Sequence, residues 1–249
     1  MSLLEARNLT KQFGNLVAVD DVSMSIEPGE LRAVIGPNGA GKTTFFNMIS
    51  GFFAPTTGDI VLDGEVITRL PVSARVARGM ARTFQITEIF PEITVRENIR
   101  IAVEVSEGMS RKLWCGAADT ARVARGVDAI LEQSELTAQA GRLVGELSHG
   151  DQRAAEIAMA LALKPRLLLL DEPTAGMGEQ ETHQVAGLIR RLHRHSNYTI
   201  VLIEHDMRVV FNLADRITVL DQGRLLADGT PVEIAADPAV QAAYLGTAE

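Results

Sequence analysis

The chain has 249 residues, 46% of them hydrophobic, and a formal charge of −8 from 24 basic and 32 acidic side chains. That is enough apolar chain for one substantial core, or for a main domain with a subdomain, while the acidic balance and scattered arginines argue against a nucleic-acid surface. No run reaches the ~18 apolar residues of a membrane span, the opening MSLLEARNLTK lacks a secretory pattern, and a lone Cys115 excludes an internal disulfide and suits a reducing cytosol.

In chain order, residues 3–9, 17–26 and 31–35 read as strands separated by Gly14-Asn15 and Pro28-Gly29 turns. Phe13, in the first connection, is either an aromatic platform for a nucleotide base or a strand-end core residue, and spacing alone favours the core. The third strand runs into GPNGAGKTT and then a helical stretch to residue 50. A glycine-rich loop between strand and helix is a phosphate cradle: Gly36, Gly39 and Gly41 let backbone N–H groups converge at the positive end of the helix. Lys42 supplies a cation for the β- and γ-phosphates, and the Thr43 hydroxyl is placed to ligate Mg²⁺. Candidate nucleotide contacts therefore run through Gly36, Pro37, Asn38, Gly39, Ala40, Gly41, Lys42, Thr43 and Thr44. The chain is expected to bind a nucleoside triphosphate.

Residues 58–64 read as a strand closed by an Asp-Gly turn, an antiparallel section beside a parallel core. A short helix over 73–78 and a strand over 80–85 follow. From 94 to about 143 helical patterns dominate, at 94–105 and 120–136, as expected of a helical insertion between core strands.

The stretch LSHGDQR opens a helix whose apolar positions are Ala154, Ile157, Ala158, Leu161 and Ala162. Ser148 is read either as its cap or, with the Gly150 amide, as a second anion site. Four leucines then end in Asp171 and Glu172. An all-apolar strand is buried on both faces, and its carboxyl end opens where ligands bind in parallel sheets. Asp171 is placed to hold Mg²⁺ and Glu172 to take a proton from an attacking water. Residues 179–195 form a long helix, and His193 and His195 near its end suit the helix dipole. The strand TIVLIE ends at His205, which is read either as a structural histidine or, at the same edge as Asp171, as a group reaching the γ-phosphate. Residues 216–220 and 224–227 read as a closing hairpin across Asp221-Gln-Gly223, before two short helices.

GPNGAGKTT, Gln85, LSHGDQ, LLLLDEPT and His205, in that order, resemble the ATPase subunit of an ATP-binding cassette transporter over essentially the whole chain. The stretches TFQ…FPEITVRENI, GDQRAAEIA, DEPTAGM, IEHDM, DRITVLDQGRLLADGTP and AAYLG are similar to the branched-chain (hydrophobic) amino-acid uptake group. The urea-uptake branch shares the LSHG and AGM features. This resemblance implies an α/β fold: a P-loop NTPase core with a mainly parallel sheet, an N-terminal antiparallel β subdomain and an inserted α-helical subdomain. The core would take residues 1–85 and 146–249, and the insertion about 86–145. It implies ATP and Mg²⁺ as ligands, Phe13 stacked on adenine, Gln85 touching Mg²⁺ and the lytic water, Glu172 as general base and His205 as the switch histidine. Ser148 and Gly150 would bind the γ-phosphate held by a second subunit, self or paralogue, in a head-to-tail dimer. Transmembrane permease subunits would dock near Gln85 and the helical subdomain, at the cytoplasmic face of the membrane, with an external solute-binding protein as an indirect partner. Two motifs depart from the family pattern: the common LSGGQ has glycine and glutamine where this chain has His149 and Asp151, and an aspartate is frequent where it has Gly178. Rival readings are a soluble, non-transport cassette ATPase, a phosphotransferase using the loop alone, and a purely structural protein. The short interval between loop and LSHGDQ disfavours the first. A phosphotransferase would leave Glu172 and the second anion loop unexplained, and a structural protein would need neither Lys42 nor Asp171.

Overall fold

Residues 2–83, 89–109 and 116–245 are described in the computed structural model. The strands are β1 (Leu4–Phe13), β2 (Leu16–Ile26), β3 (Leu31–Ile35), β4 (Thr57–Leu62), β5 (Glu65–Val66), β6 (Met80–Thr83), β7 (Leu167–Asp171), β8 (Thr199–Ile203), β9 (Arg216–Asp221) and β10 (Arg224–Gly229). The helices are α1 (Lys42–Ser50), α2 (Val72–Val76), α3 (Val95–Ser106), α4 (Ala117–Gln133), α5 (His149–Ala162), α6 (Glu179–Ser196), α7 (Met207–Leu213), α8 (Pro231–Ala236) and α9 (Pro238–Leu245).

Two hydrophobic patterns give two sheets. β2 mixes buried and exposed positions, as an antiparallel strand with one wet face does, and lies in the antiparallel order β2-β1-β4-β5. β3, β7 and β8 are buried at every position and sit inside the order β10-β9-β3-β8-β7-β6, parallel except for β10. Successive β7 residues face opposite sides of this sheet. Leu167 and Leu169 join α1 residues Phe45, Phe46 and Ile49 and the antiparallel sheet's Leu4, Leu9 and Ile60. Leu168 and Leu170 meet α5 and α6 through Ile157, Leu161, Val185 and Ile189, and that cluster continues into α3 and α4. α1 is thus sandwiched between the two sheets, which fixes the phosphate loop at its N-terminal end.

The expected α/β fold, with its antiparallel sheet beside a mainly parallel one, is present, with three local differences. β1 continues four residues past position 9, through register irregularities between Ala6 and Gln12, so polar Asn8, Thr10 and Lys11 ride on a bulged stretch that breaks the alternation. α7 was not anticipated from the sequence. Asp206 caps it, accepting from the Arg208 amide at 2.8 Å, and it buries Val209, Val210 and Leu213 in only seven residues, too short a run for a helical period to stand out. His193 lies in the last turn of α6, as expected, but is also buried there. Its Nε2 lies 3.0 Å from Asp215 Oδ2, an atom that also accepts from the Leu31 amide, so it braces α6 against the start of β3.

α1 has no basic residue in its last turn, and its buried C-terminal carbonyls find their donors elsewhere. Arg75, 1% exposed, donates to the carbonyls of Met48 (2.7 Å), Ile49 (2.5 Å), Leu70 (3.0 Å) and Thr68 (2.9 Å). Burial pushes its pKa down to about 10. Arg75→Met is expected to take these donors away, leaving Met48 O only the Gly51 amide at 3.2 Å, and to cost about 3 kcal/mol, lowering the melting temperature by roughly 6–12 °C in a thermal scan. An unchanged melting temperature would mean water takes over the capping.

Candidate nucleotide-binding site

β3, β8 and β7 are adjacent and parallel, so the loops leaving their carboxyl ends open at one edge. The glycine-rich loop follows β3, Glu172 follows β7, and His205 lies two residues after β8. A cleft of about 520 Å³ is lined there by Asn38 to Thr44, Glu172 and His205, together with Leu16 to Ala18 of β2 and Gln222 and Gly223 of the β9–β10 turn. Such a volume suits a small-molecule ligand.

The loop geometry refines the role of its glycines. A methyl group on Gly36 would lie 2.1 Å from the Leu220 carbonyl oxygen, and one on Gly41 2.4 Å from that of Ala18. These two glycines are required by close approach of neighbouring backbone, more than by room for a phosphate. Gly41, at φ +91, then hands the chain to α1. The Gly223 amide donates to Ala40 O at 3.2 Å, so the β9–β10 turn braces the loop from outside.

Lys42 is 6% exposed, and its Nζ donates to Gly36 O (2.8 Å) and Pro37 O (2.9 Å). Burial holds its pKa below the usual lysine range, with the Glu172 carboxylate acting in the opposite sense. A buried ammonium held by two uncharged carbonyls, at the start of a helix with no acidic residue in its first turn, fits a polyphosphate. Thr43 is exposed and Thr44 half-buried in the same cleft.

Glu172 Oε1 lies 2.7 Å from His205 Nε2, bringing together two residues 33 apart in the chain. Glu172 also has φ +46. A left-handed conformation at a non-glycine residue costs on the order of 1–3 kcal/mol, and strain of this kind concentrates at functional sites. Asp171 is buried beneath the cleft edge, with Oδ2 accepting from Arg82 at 2.7 Å and its backbone carbonyl accepting from Arg153 at 2.5 Å. Gln85 lies outside the described residues.

Ser148 and Gly150 do not line this cleft. Ser148 caps α5, its Oγ accepting from the Asp151 amide at 3.2 Å, and the Gly150 amide donates to Glu181 Oε1 at 3.4 Å. The non-consensus Asp151 is bonded to Gln184 at 2.7 Å. Phe13 is not the core residue that spacing favoured. It is 46% exposed at the end of β1, edge-on to Phe53 at 5.5 Å, with the Lys11 ammonium over both rings.

Sequence reasoning missed Leu16, Val17, Gln222 and Gly223, read only as strand and turn. It also missed Glu204, which is 3% exposed. Glu204 accepts from the Thr174 amide (2.9 Å) and hydroxyl (2.5 Å) and from the His205 amide (2.8 Å), tying the loop after Glu172 to the loop bearing His205. The signal was an acid ending an all-apolar strand, since a buried carboxylate requires donors.

A family model described as ABC transporter matches residues 19–175, and one described as branched-chain amino acid ATP-binding cassette transporter matches residues 224–249. The chain is 42% identical to the high-affinity branched-chain amino acid transport ATP-binding protein BraF of Pseudomonas aeruginosa and 41% identical to its counterpart LivG of Escherichia coli K12. Each alignment covers 99% of this chain and 98% of the relative. A crystal structure of the ADP conformation of an ATP-binding cassette of an ABC transporter shares 29% identity, with a TM-score of 0.84 and coverage of 99% of both chains. With a phosphate loop, a buried lysine and a paired glutamate and histidine at one sheet edge, this chain belongs to the ATP-binding cassette transporter family as an ATP-hydrolysing subunit.

Proposed function

We propose that the chain powers an importer of branched-chain or other hydrophobic amino acids, acting as a head-to-tail dimer in which each ATP is held between two subunits. The observation that carries the dimer is the separation of the two anion-binding features. Lys42, Thr43, Glu172 and His205 share one cleft, and the Ser148–Gly150 turn lies outside it. A second copy, or a paralogue, supplies that turn.

In this reading the loop amides from Gly36 to Thr44 and Lys42 hold the triphosphate, and Phe13 with the neighbouring β2 residues receives the adenine. Thr43, Asp171 and Gln85 hold Mg²⁺, which when bound neutralises charge on the phosphate oxygens. Glu172 takes the proton from the water that attacks the γ-phosphorus, and His205 fixes the orientation of the Glu172 carboxylate through their 2.7 Å contact. Binding draws the two subunits together because donors from both converge on one polyphosphate, and cleavage removes that bridge.

The helical insertion, about residues 86–145, is the region read as coupling this cycle to permease subunits. The end of β6 with α3 and α5 frames a groove containing Ile89, Ala102, Met159 and Leu163. Among the described residues no helix is long and apolar enough to cross a membrane, so attachment at the cytoplasmic face falls to those partners. The solute is assigned from the amino-acid transport relatives and the C-terminal match, in preference to urea. Cells relying on this chain are expected to lose leucine uptake, and keep urea uptake, when Lys42→Ala replaces it. The reverse pattern would assign the chain to a urea system.

Ser148→Ala tests the shared site. It removes the α5 cap, at about 1 kcal/mol of stability, and is expected to leave ATP binding by the monomer unchanged while weakening ATP-driven dimerisation about tenfold in sedimentation experiments. Equal loss of monomer binding would place Ser148 in its own subunit's site.

A further inference from the structure

We propose that Arg82 is a positioning residue for the metal-side carboxylate: it holds Asp171 at a fixed place relative to α1, so that Asp171 and Thr43 present one prepared Mg²⁺ site. The inference rests on the reading of Asp171 and Thr43 as the groups that hold Mg²⁺.

Asp171 sits on β7 and Thr43 on α1, and their relative placement is not fixed by neighbouring positions in the chain. Arg82, on β6, connects them. One guanidinium nitrogen donates to Asp171 Oδ2 at 2.7 Å, and the other donates to Asn47 Oδ1 and Ser50 Oγ of α1, both at 2.7 Å. The Phe46 and Phe52 rings lie 5.5 and 5.3 Å from its centre. The arginine and aspartate side chains are 8% and 3% exposed, so the carboxylate is held away from bulk water. A buried carboxylate needs a compensating cation, and a planar guanidinium supplies one with its donors in a rigid fork. The fork takes Oδ2 and leaves Oδ1, to which no described residue donates, for a cation or its water shell. The same fork reads the position of α1, so a shift of the helix is felt at the carboxylate. A lysine would keep the charge and lose this three-way geometry.

The test separates metal from nucleotide, using the full chain and a fluorescent N-methylanthraniloyl ATP. Wild type and Arg82→Lys are compared in EDTA and across a Mg²⁺ titration, after thermal scans have shown that both fold. Arg82→Lys is expected to raise the Mg²⁺ concentration for half-maximal effect about tenfold, with affinity in EDTA within about twofold of wild type. An unchanged Mg²⁺ requirement would overturn the proposal, and so would an equal loss with and without metal, which marks Arg82 as merely structural. Should the lysine variant not fold, Asn47→Ala removes one anchor and keeps the buried pair. It is expected to shift the Mg²⁺ requirement about threefold in the same direction, and no shift overturns the proposal. Wild type that binds no nucleotide at all would instead sink the ATP reading on which this inference stands.

Discussion

Glu172→Gln is expected to bind ATP with an affinity within about twofold of wild type and to hydrolyse it about a thousandfold more slowly, as loss of a general base implies. Glutamine has the shape of glutamate and still reaches His205 across the 2.7 Å contact. It meets the same backbone demand at φ +46, so the fold is not disturbed by the change. What disappears is a carboxylate able to accept a proton from water. The variant therefore isolates chemistry from binding. Retained hydrolysis would remove Glu172 from its role and direct attention to His205.

The same variant reports on assembly. With hydrolysis blocked, ATP-bound pairs accumulate, and the solution mass with Mg²⁺-ATP is expected to rise from 26.9 kDa towards twice that value. A mass that stays at one chain while ATP is bound would mean the second Ser148–Gly150 turn comes from a paralogue, or that permease subunits are needed to align two copies.

The parts legible in the sequence were those whose chemistry is local. GPNGAGKT encodes strand, turn, cation and helix within a few residues, and the all-apolar strands 31–35, 167–171 and 199–203 could only be central in a covered parallel sheet. From there the edge carrying Lys42, Glu172 and His205 followed from topology. The pairings across the chain could not be read. Arg82 meets Asp171 at a separation of 89 residues and Glu204 meets Thr174 at 30, and nothing local to either residue names its partner. The glycines show a subtler miss. Their presence was expected for phosphate approach, whereas Gly36 and Gly41 are held to glycine by the carbonyls of Leu220 and Ala18, which belong to distant strands. Phe13 lay at the end of β1, an interior strand whose bulges the hydrophobic pattern did not record and which runs past its last pairing with β4 at Thr10, so Phe13 is exposed.

Lys42→Ala is expected to weaken ATP binding at least a hundredfold, about 3 kcal/mol, and to abolish turnover, while leaving the unliganded fold close to wild type in stability. The asymmetry comes from the ammonium's surroundings. Without nucleotide its hydrogen bonds go to two carbonyls of its own loop, and burial penalises its charge, as the lowered pKa records. Removing it relieves desolvation while it loses two hydrogen bonds, and these changes offset. With polyphosphate in the cleft the same burial strengthens the attraction, because little water competes. Linkage supplies an independent check. A lysine whose folded pKa lies below its unfolded value binds fewer protons in the folded state across that window, so wild-type stability rises with pH as the unfolded value of about 10.5 is approached. Lys42→Ala lacks that rise. Calorimetric titration with ATP and melting temperatures from pH 7 to 10 therefore separate two cases. Lost binding with a matched melting curve at pH 7 that falls behind wild type at high pH identifies a buried phosphate-binding cation. Lost binding with a large drop in stability at every pH identifies a lysine whose main work is to hold the loop together.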